Sequence, residues 1–168
     1  MDLEKPVIPP PFSESESVTH QSKKDELYAA FIGKKYQSYY QEKFQNLEAP
    51  KPKGGFNIAA FLIGPIWLFY RKMYAYGGIY FGATVVYGFF AEMVGVSDSF
   101  DRSISIGLAV GMGFAGNGLY KYFVDKKLAI SVRTIDEAQQ QGGTNPVLAW
   151  SIFALIIILI GIGVLFGA

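Results

Sequence analysis

Residues 56–74 read F-N-I-A-A-F-L-I-G-P-I-W-L-F-Y-R-K-M-Y, an uncharged apolar run from Phe56 to Tyr70 that stops at Arg71-Lys72. Its 15 residues extend only about 22 Å as a straight helix, short of the roughly 30 Å hydrocarbon layer of a bilayer. Gly64-Pro65 interrupts the run further, because proline lacks an amide donor and clashes with the preceding turn. The segment is therefore expected to enter lipid and return to the face it left, as a kinked interfacial or re-entrant element.

Three other uncharged stretches are longer: Met73–Ala91, Ser103–Tyr120 and Pro146–Ala168, with 19, 18 and 23 residues. At about 1.5 Å per residue each reaches roughly the thickness of the hydrocarbon layer, so each is expected to span. The basic residues support this count. With three crossings and a cytoplasmic amino terminus, 14 of the 15 Lys and Arg lie inside and only Arg102 lies outside. A fourth crossing at residues 56–70 would leave 9 inside and 6 outside. Around the short run, Trp67, Tyr70, Tyr74 and Tyr76 flank Arg71-Lys72, a pattern of amphipathic rings and snorkelling cations at headgroup level. Arg71 and Lys72 are there expected to meet anionic lipid headgroups.

The expected fold is an all-α membrane protein with three transmembrane helices, a cytoplasmic amphipathic helix and the kinked segment. Residues 1–24, with Pro6, Pro9, Pro10, Pro11 and alternating Ser and Glu, lack the apolar side chains that offset chain entropy and are expected to be a disordered tail. Asp2, Glu4 and the prolines do not fit a secretory signal, so the amino terminus is expected to be retained. Residues 25–48 form an amphipathic cytoplasmic helix, broken at Gly33, with Tyr36, Tyr40 and Leu47 on one face and Tyr39 and Phe44 at its edges. Residues 49–55 are a Pro/Gly linker. The membrane domain, residues 56–168, holds the segment 56–70, spans at 73–95, 103–123 and 146–167, and a cytoplasmic helix at 125–141. Asn145 fits an N-cap and Pro146 the first helical position of the last span.

The 168 residues carry 15 Lys+Arg against 14 Asp+Glu, no cysteine and one histidine, His20, in the polar tail. A net charge of +1 offers no basic surface for nucleic acid. The lack of cysteine excludes thiolate zinc sites and cysteine nucleophiles, and one tail histidine supplies neither a metal site nor a serine–histidine pair. Gly111–Gly116 satisfies G-x-G-x-x-G, but it lies inside an uncharged membrane-length stretch, without the strand and acidic residue of a dinucleotide site. Gly107/Gly111, Gly78/Gly82 and Gly163/Gly167 have the spacing that lets helices approach closely in lipid, which favours a three-helix bundle, with or without self-association, since spacing does not separate contacts within one chain from contacts between chains. Asn117, deep in a span, needs a hydrogen-bonding neighbour, since an unpartnered buried amide costs on the order of 1–3 kcal/mol. Glu92 ends the first span near the outer surface.

The block Phe56–Tyr74 resembles the defining block of an uncharacterised family of small bacterial membrane proteins classed as a domain of unknown function. Phe31–Phe44 (F-I-G-K-K-Y-Q-S-Y-Y-Q-E-K-F) and Gly116–Ala129 (G-N-G-L-Y-K-Y-F-V-D-K-K-L-A) are similar to elements of the same family. Within these, Gly33, Tyr39, Tyr40 and Phe44 match the leading element. Asn57, Ala60, Phe61, Gly64, Pro65, Trp67, Tyr70, Arg71 and Lys72 match the central block, and Asn117 and Tyr120 the trailing one. The resemblance implies bacterial origin and a multi-pass inner-membrane location, and brings no activity with it.

From the residues, no catalytic group, metal ligand or cofactor site is expected. The leading expectation is a non-enzymatic interaction or scaffold protein, with the lipid bilayer and either a second copy or another membrane protein as partners. The alternative is a small transporter or channel component in which Asn117 and Glu92 line a polar path.

Overall fold

The computed structural model describes residues 14–49 and 53–166, which are helical with no strand among them. Helix α1 covers Glu14–Ile32. The expected tail is thus corrected over residues 14–24, while residues 1–13 lie outside the described part. Nucleation is the costly step of helix formation, and here it is met further along, where Tyr28 and Phe31 dock into the core, so the polar turns propagate from an existing helix. Gly33, at φ +77°, ends α1 in the left-handed region that glycine tolerates best.

A π-helical segment, Tyr36–Tyr40, then runs directly into α2, Gln41–Glu48. Side chains four apart drift around a regular helix, and the wider π turn offsets that drift. Tyr36, Tyr40 and Phe44 are consequently all buried on one face. Tyr40 and Phe44 pack against Tyr120, with ring centroids 5.0 and 6.2 Å apart.

Helix α3, Ile58–Tyr70, starts at an Asn57 cap whose side chain accepts from the Ala60 amide, and it kinks at Ile63 and Gly64 before Pro65. Helix α4 covers Tyr74–Val94 and α5 covers Asp98–Ile130. Helix α6 covers Ile135–Gln141 and α7 covers Pro146–Phe166. The expected cytoplasmic helix at 125–141 is corrected: residues 125–130 continue α5, and a new helix starts at a Thr134–Glu137 capping box, which satisfies the first free amides of α6. Asn145 does cap α7, accepting from the Leu148 amide at 3.0 Å.

Short α3 is the hub. Helices α4, α5 and α7 each pack principally on it. Within the chain, the expected three-helix bundle with glycine seams is not what forms. Gly78, Gly82, Gly107, Gly111 and Gly163 face open space, and Gly167 lies outside the described residues. The glycines that matter are Gly113 and Gly116, where α3 crosses α5 so closely that a Cβ on Gly116 would stand 2.8 Å from the Ala60 Cβ. Helices α4 and α7 are long and apolar enough to cross a membrane. Ser103–Tyr120 is uncharged, but its glycines, two serines and Asn117 dilute its apolar character.

Candidate functional site

The strongest chemical feature grows from the end of α3. Arg71 is its C-cap residue, and its guanidinium carbon sits over three rings, 4.8 Å from the centroid of Tyr40, 5.0 Å from Tyr120 and 5.6 Å from Tyr70. Trp67, one turn earlier, packs edge-on to Tyr120 at 6.0 Å. Arg71 is only 6% exposed, its Nε and Nη1 are buried without a well-formed hydrogen bond, and its side chain is within hydrogen-bonding reach of the Tyr40 and Tyr120 hydroxyls. Among the described residues no carboxylate lies within ion-pair distance of it. Cation–π contact stabilises a desolvated guanidinium by about 2 kcal/mol, which offsets only part of the cost of burying a charge.

The sequence places Arg71 and Lys72 together as an open interfacial pair, whereas the fold separates them. Lys72 adopts φ +60° and donates from Nζ to the Gly142 carbonyl. The same turn receives α1, with the Gly143 amide donating to the Phe31 carbonyl at 2.6 Å, and the α3–α4 junction, with the Asn145 amide donating to Tyr70 at 2.8 Å. A Cβ on Gly142 would stand 2.0 Å from the Phe31 oxygen, so only glycine fits there. Lys72 therefore ties elements together, and Arg71 carries the uncompensated charge.

At the other end of α3, Asn57 and Asn117 form a closed amide pair. Asn57 Nδ2 donates to Asn117 Oδ1 at 2.9 Å, and Asn117 Nδ2 donates to the Gly54 carbonyl at 2.8 Å. Both residues are buried, and the Asn57 amide also donates to the Gly113 carbonyl at 2.8 Å. Glu92 is exposed near the far end of α4. Asn117 lies 19 residues along α5 from Asp98, about 28 Å at helical rise, so the structure does not bring Asn117 and Glu92 together.

A polar network that the sequence analysis did not single out pins α1 and α2 to α5. Lys121 Nζ lies 2.9 Å from Glu48 and 2.7 Å from Asp125, and Lys24 lies 2.5 Å from Glu48. Burial raises the Glu48 carboxyl's pKa, but the hydrogen bonds and charges of Lys24 and Lys121 outweigh it and hold the group below its ordinary value. The buried Tyr28 hydroxyl donates to Asp125, and burial together with that carboxylate raises its pKa. The four-residue spacing of Lys121 and Asp125 was visible in the sequence; Glu48 and Tyr28 carry no such signal, because they reach the network through the packing of α1 and α2.

Between the π-helical segment, α3 and α7 runs an open groove of about 550 Å³. Ile58, Ile63, Ile66, Trp67, Trp150 and Phe153 supply much of its apolar wall, and Arg71 and Lys35 its charge. None of its lining residues is acidic. Lys35 gives no sequence signal for this role, because the fold of the π-helical segment onto α3 is what puts it there.

Residues 19–126 match the family model described as protein of unknown function (DUF2628). The chain belongs to this family. No curated protein and no solved structure matches it. The DUF2628 stretch ends within α5, so it includes the arginine cage, the amide pair and the kinked helix, while α6 and α7 lie beyond it. Helix α7 nevertheless completes the groove through Ala149, Trp150 and Phe153.

Proposed function

We infer that this DUF2628 protein is a three-span integral protein of a bacterial inner membrane and acts as a non-enzymatic scaffold. Its spans are α4, the uncharged part of α5, and α7, and the amino terminus is cytoplasmic. The course of α3 supports an odd number of crossings. Its start bonds to Gly113 and Asn117, Gly64 at the kink approaches Met112 and Tyr80, and Trp67 and Arg71 return to Tyr120. Met112 to Tyr120 is about 12 Å of helix, less than half the hydrocarbon thickness. The apolar surfaces of α4, α5 and α7, including Val86, Phe89, Ile106, Phe114, Ile158 and Leu165, are exposed, as faces in contact with lipid are.

The observation that carries the scaffold reading is the welding of α1, the π-helical segment and α2 to the end of α5. Its 33 residues make about 50 Å of helix, well beyond the bilayer core. The projecting end carries Tyr120, Phe123 and Val124 into one core with Tyr28, Phe31, Tyr36, Tyr40 and Phe44. The cap's interior is committed to packing, and its outer face, with Gln37, Glu42 and Gln45, is exposed at a fixed height above the membrane. A surface so held suits recognition of a second protein. Photo-crosslinking residues at Gln37 and Gln45 in native membranes are expected to capture one recurrent protein neighbour. A chain captured only by lipid, from both positions, overturns the scaffold role.

A further inference from the structure

We propose that the groove between the π-helical segment, α3 and α7 binds an anionic phospholipid of the surrounding leaflet, with its phosphate at Arg71 and Lys35 and one acyl chain along the apolar wall. The site deepens the membrane reading above and rests on it, because its open flank then faces lipid.

Three independent observations converge on this occupant. Arg71 is more than nine-tenths buried and lines the groove; its Nε and Nη1 make no well-formed hydrogen bond, and the neutral hydroxyls of Tyr40 and Tyr120, within reach of the guanidinium, stand where a counter-ion would. A buried charge without a counter-ion is expensive, and a phosphate oxygen is a strong acceptor for guanidinium donors. Lys35, exposed on the same wall, adds a second cation, and no acidic lining residue competes with an arriving anion. The apolar remainder suits a hydrocarbon chain: Ile58, Ile63 and Trp150 line the groove and are exposed, and about 550 Å³ lies within the range of sites that enclose small amphiphilic molecules. Lys72 takes no part, since its ammonium is held by the Gly142 carbonyl.

The cage explains why this cation is an arginine. A planar guanidinium can stack on the rings of Tyr40 and Tyr120 and still present edge donors to a phosphate, which a compact ammonium cannot do as well.

The test is native mass spectrometry of the full chain in mild detergent, offered equal amounts of phosphatidylglycerol and phosphatidylcholine with identical acyl chains. The wild type is expected to retain phosphatidylglycerol selectively. Lys35→Glu, on an exposed side chain, should lower that selectivity at least fivefold, about the effect of one cation near an anionic surface. Ile63→Trp should reduce retention of both lipids by filling the groove. Arg71→Gln should abolish the selectivity if Trp67 fluorescence, read in a Trp150→Phe background, shows a native cage, and the other two variants decide the matter if it does not. Equal retention of the two lipids by the wild type, or unchanged retention in both Lys35→Glu and Ile63→Trp, overturns the site. Micelles impose no number of crossings, so this result is separable from the topology, which cysteine labelling reads independently.

Discussion

The amide pair that closes α3 onto α5 makes a quantitative prediction. Asn117→Ala leaves the buried Asn57 Nδ2 without its acceptor and frees the Gly54 carbonyl from its donor. An orphaned buried polar group costs about 1–3 kcal/mol, so this variant should lose about 2–3 kcal/mol. Asn57→Ala removes the helix cap on the Ala60 amide as well as the same amide contact. Cap loss is worth about 1 kcal/mol, and the total again comes to about 2–3 kcal/mol. In the double variant neither amide is left facing a missing partner, so the cost should fall short of the sum of the singles by about 1 kcal/mol. Unfolding in mixed micelles provides the assay, in a Trp150→Phe background in which Trp67, inside the aromatic cage, is the sole tryptophan reporter. Strict additivity, or single losses below about 0.5 kcal/mol, would refute the claim that this pair fixes the entrance of α3.

Two further outcomes follow from the packing and the cap. Gly116→Val should destabilise the protein by about 1–3 kcal/mol through overpacking against Ala60, whereas Gly107→Ala, with open space around it, should be neutral or slightly stabilising because alanine favours helix; thermal unfolding in detergent separates the two. The Glu48 carboxyl, held below its ordinary pKa by Lys24 and Lys121, contributes stability that is present above its unfolded pKa and lost as the pH falls through the lowered folded value. Acid titration of the wild type should therefore loosen α2 in that window, and Glu48→Gln should be weaker at neutral pH and less sensitive to acid.

How much was legible in the sequence depends on where each decision was local. Gly33, the Gly64-Pro65 kink, and the Asn145-Pro146 helix start are set by single-residue backbone chemistry, and the structure has all three. Asn117's need for a partner was legible too, though its partner Asn57 lies 60 positions away and is joined to it only by the crossing of α3 over Gly113 and Gly116. Spacing alone did not locate the seams within the chain: Gly107/Gly111 and Gly78/Gly82 have the four-residue repeat, yet inside one chain no other helix arrives at them. The fate of Arg71 was likewise hidden. Beside tyrosines in the chain it resembles an interface anchor, and only the folding of Tyr40 and Tyr120 over it converts an open cation into a caged one.

The most direct test of the topology uses the absence of native cysteine. Single cysteines at Lys53, Ser99 and Lys126 are labelled in intact cells by a membrane-impermeant thiol reagent. A dipping α3 with three crossings predicts reaction at Ser99 alone, with Lys53 and Lys126 protected until the membrane is opened. Reaction at Lys53 from outside while Lys126 stays protected would contradict it, because α3 would then traverse the bilayer.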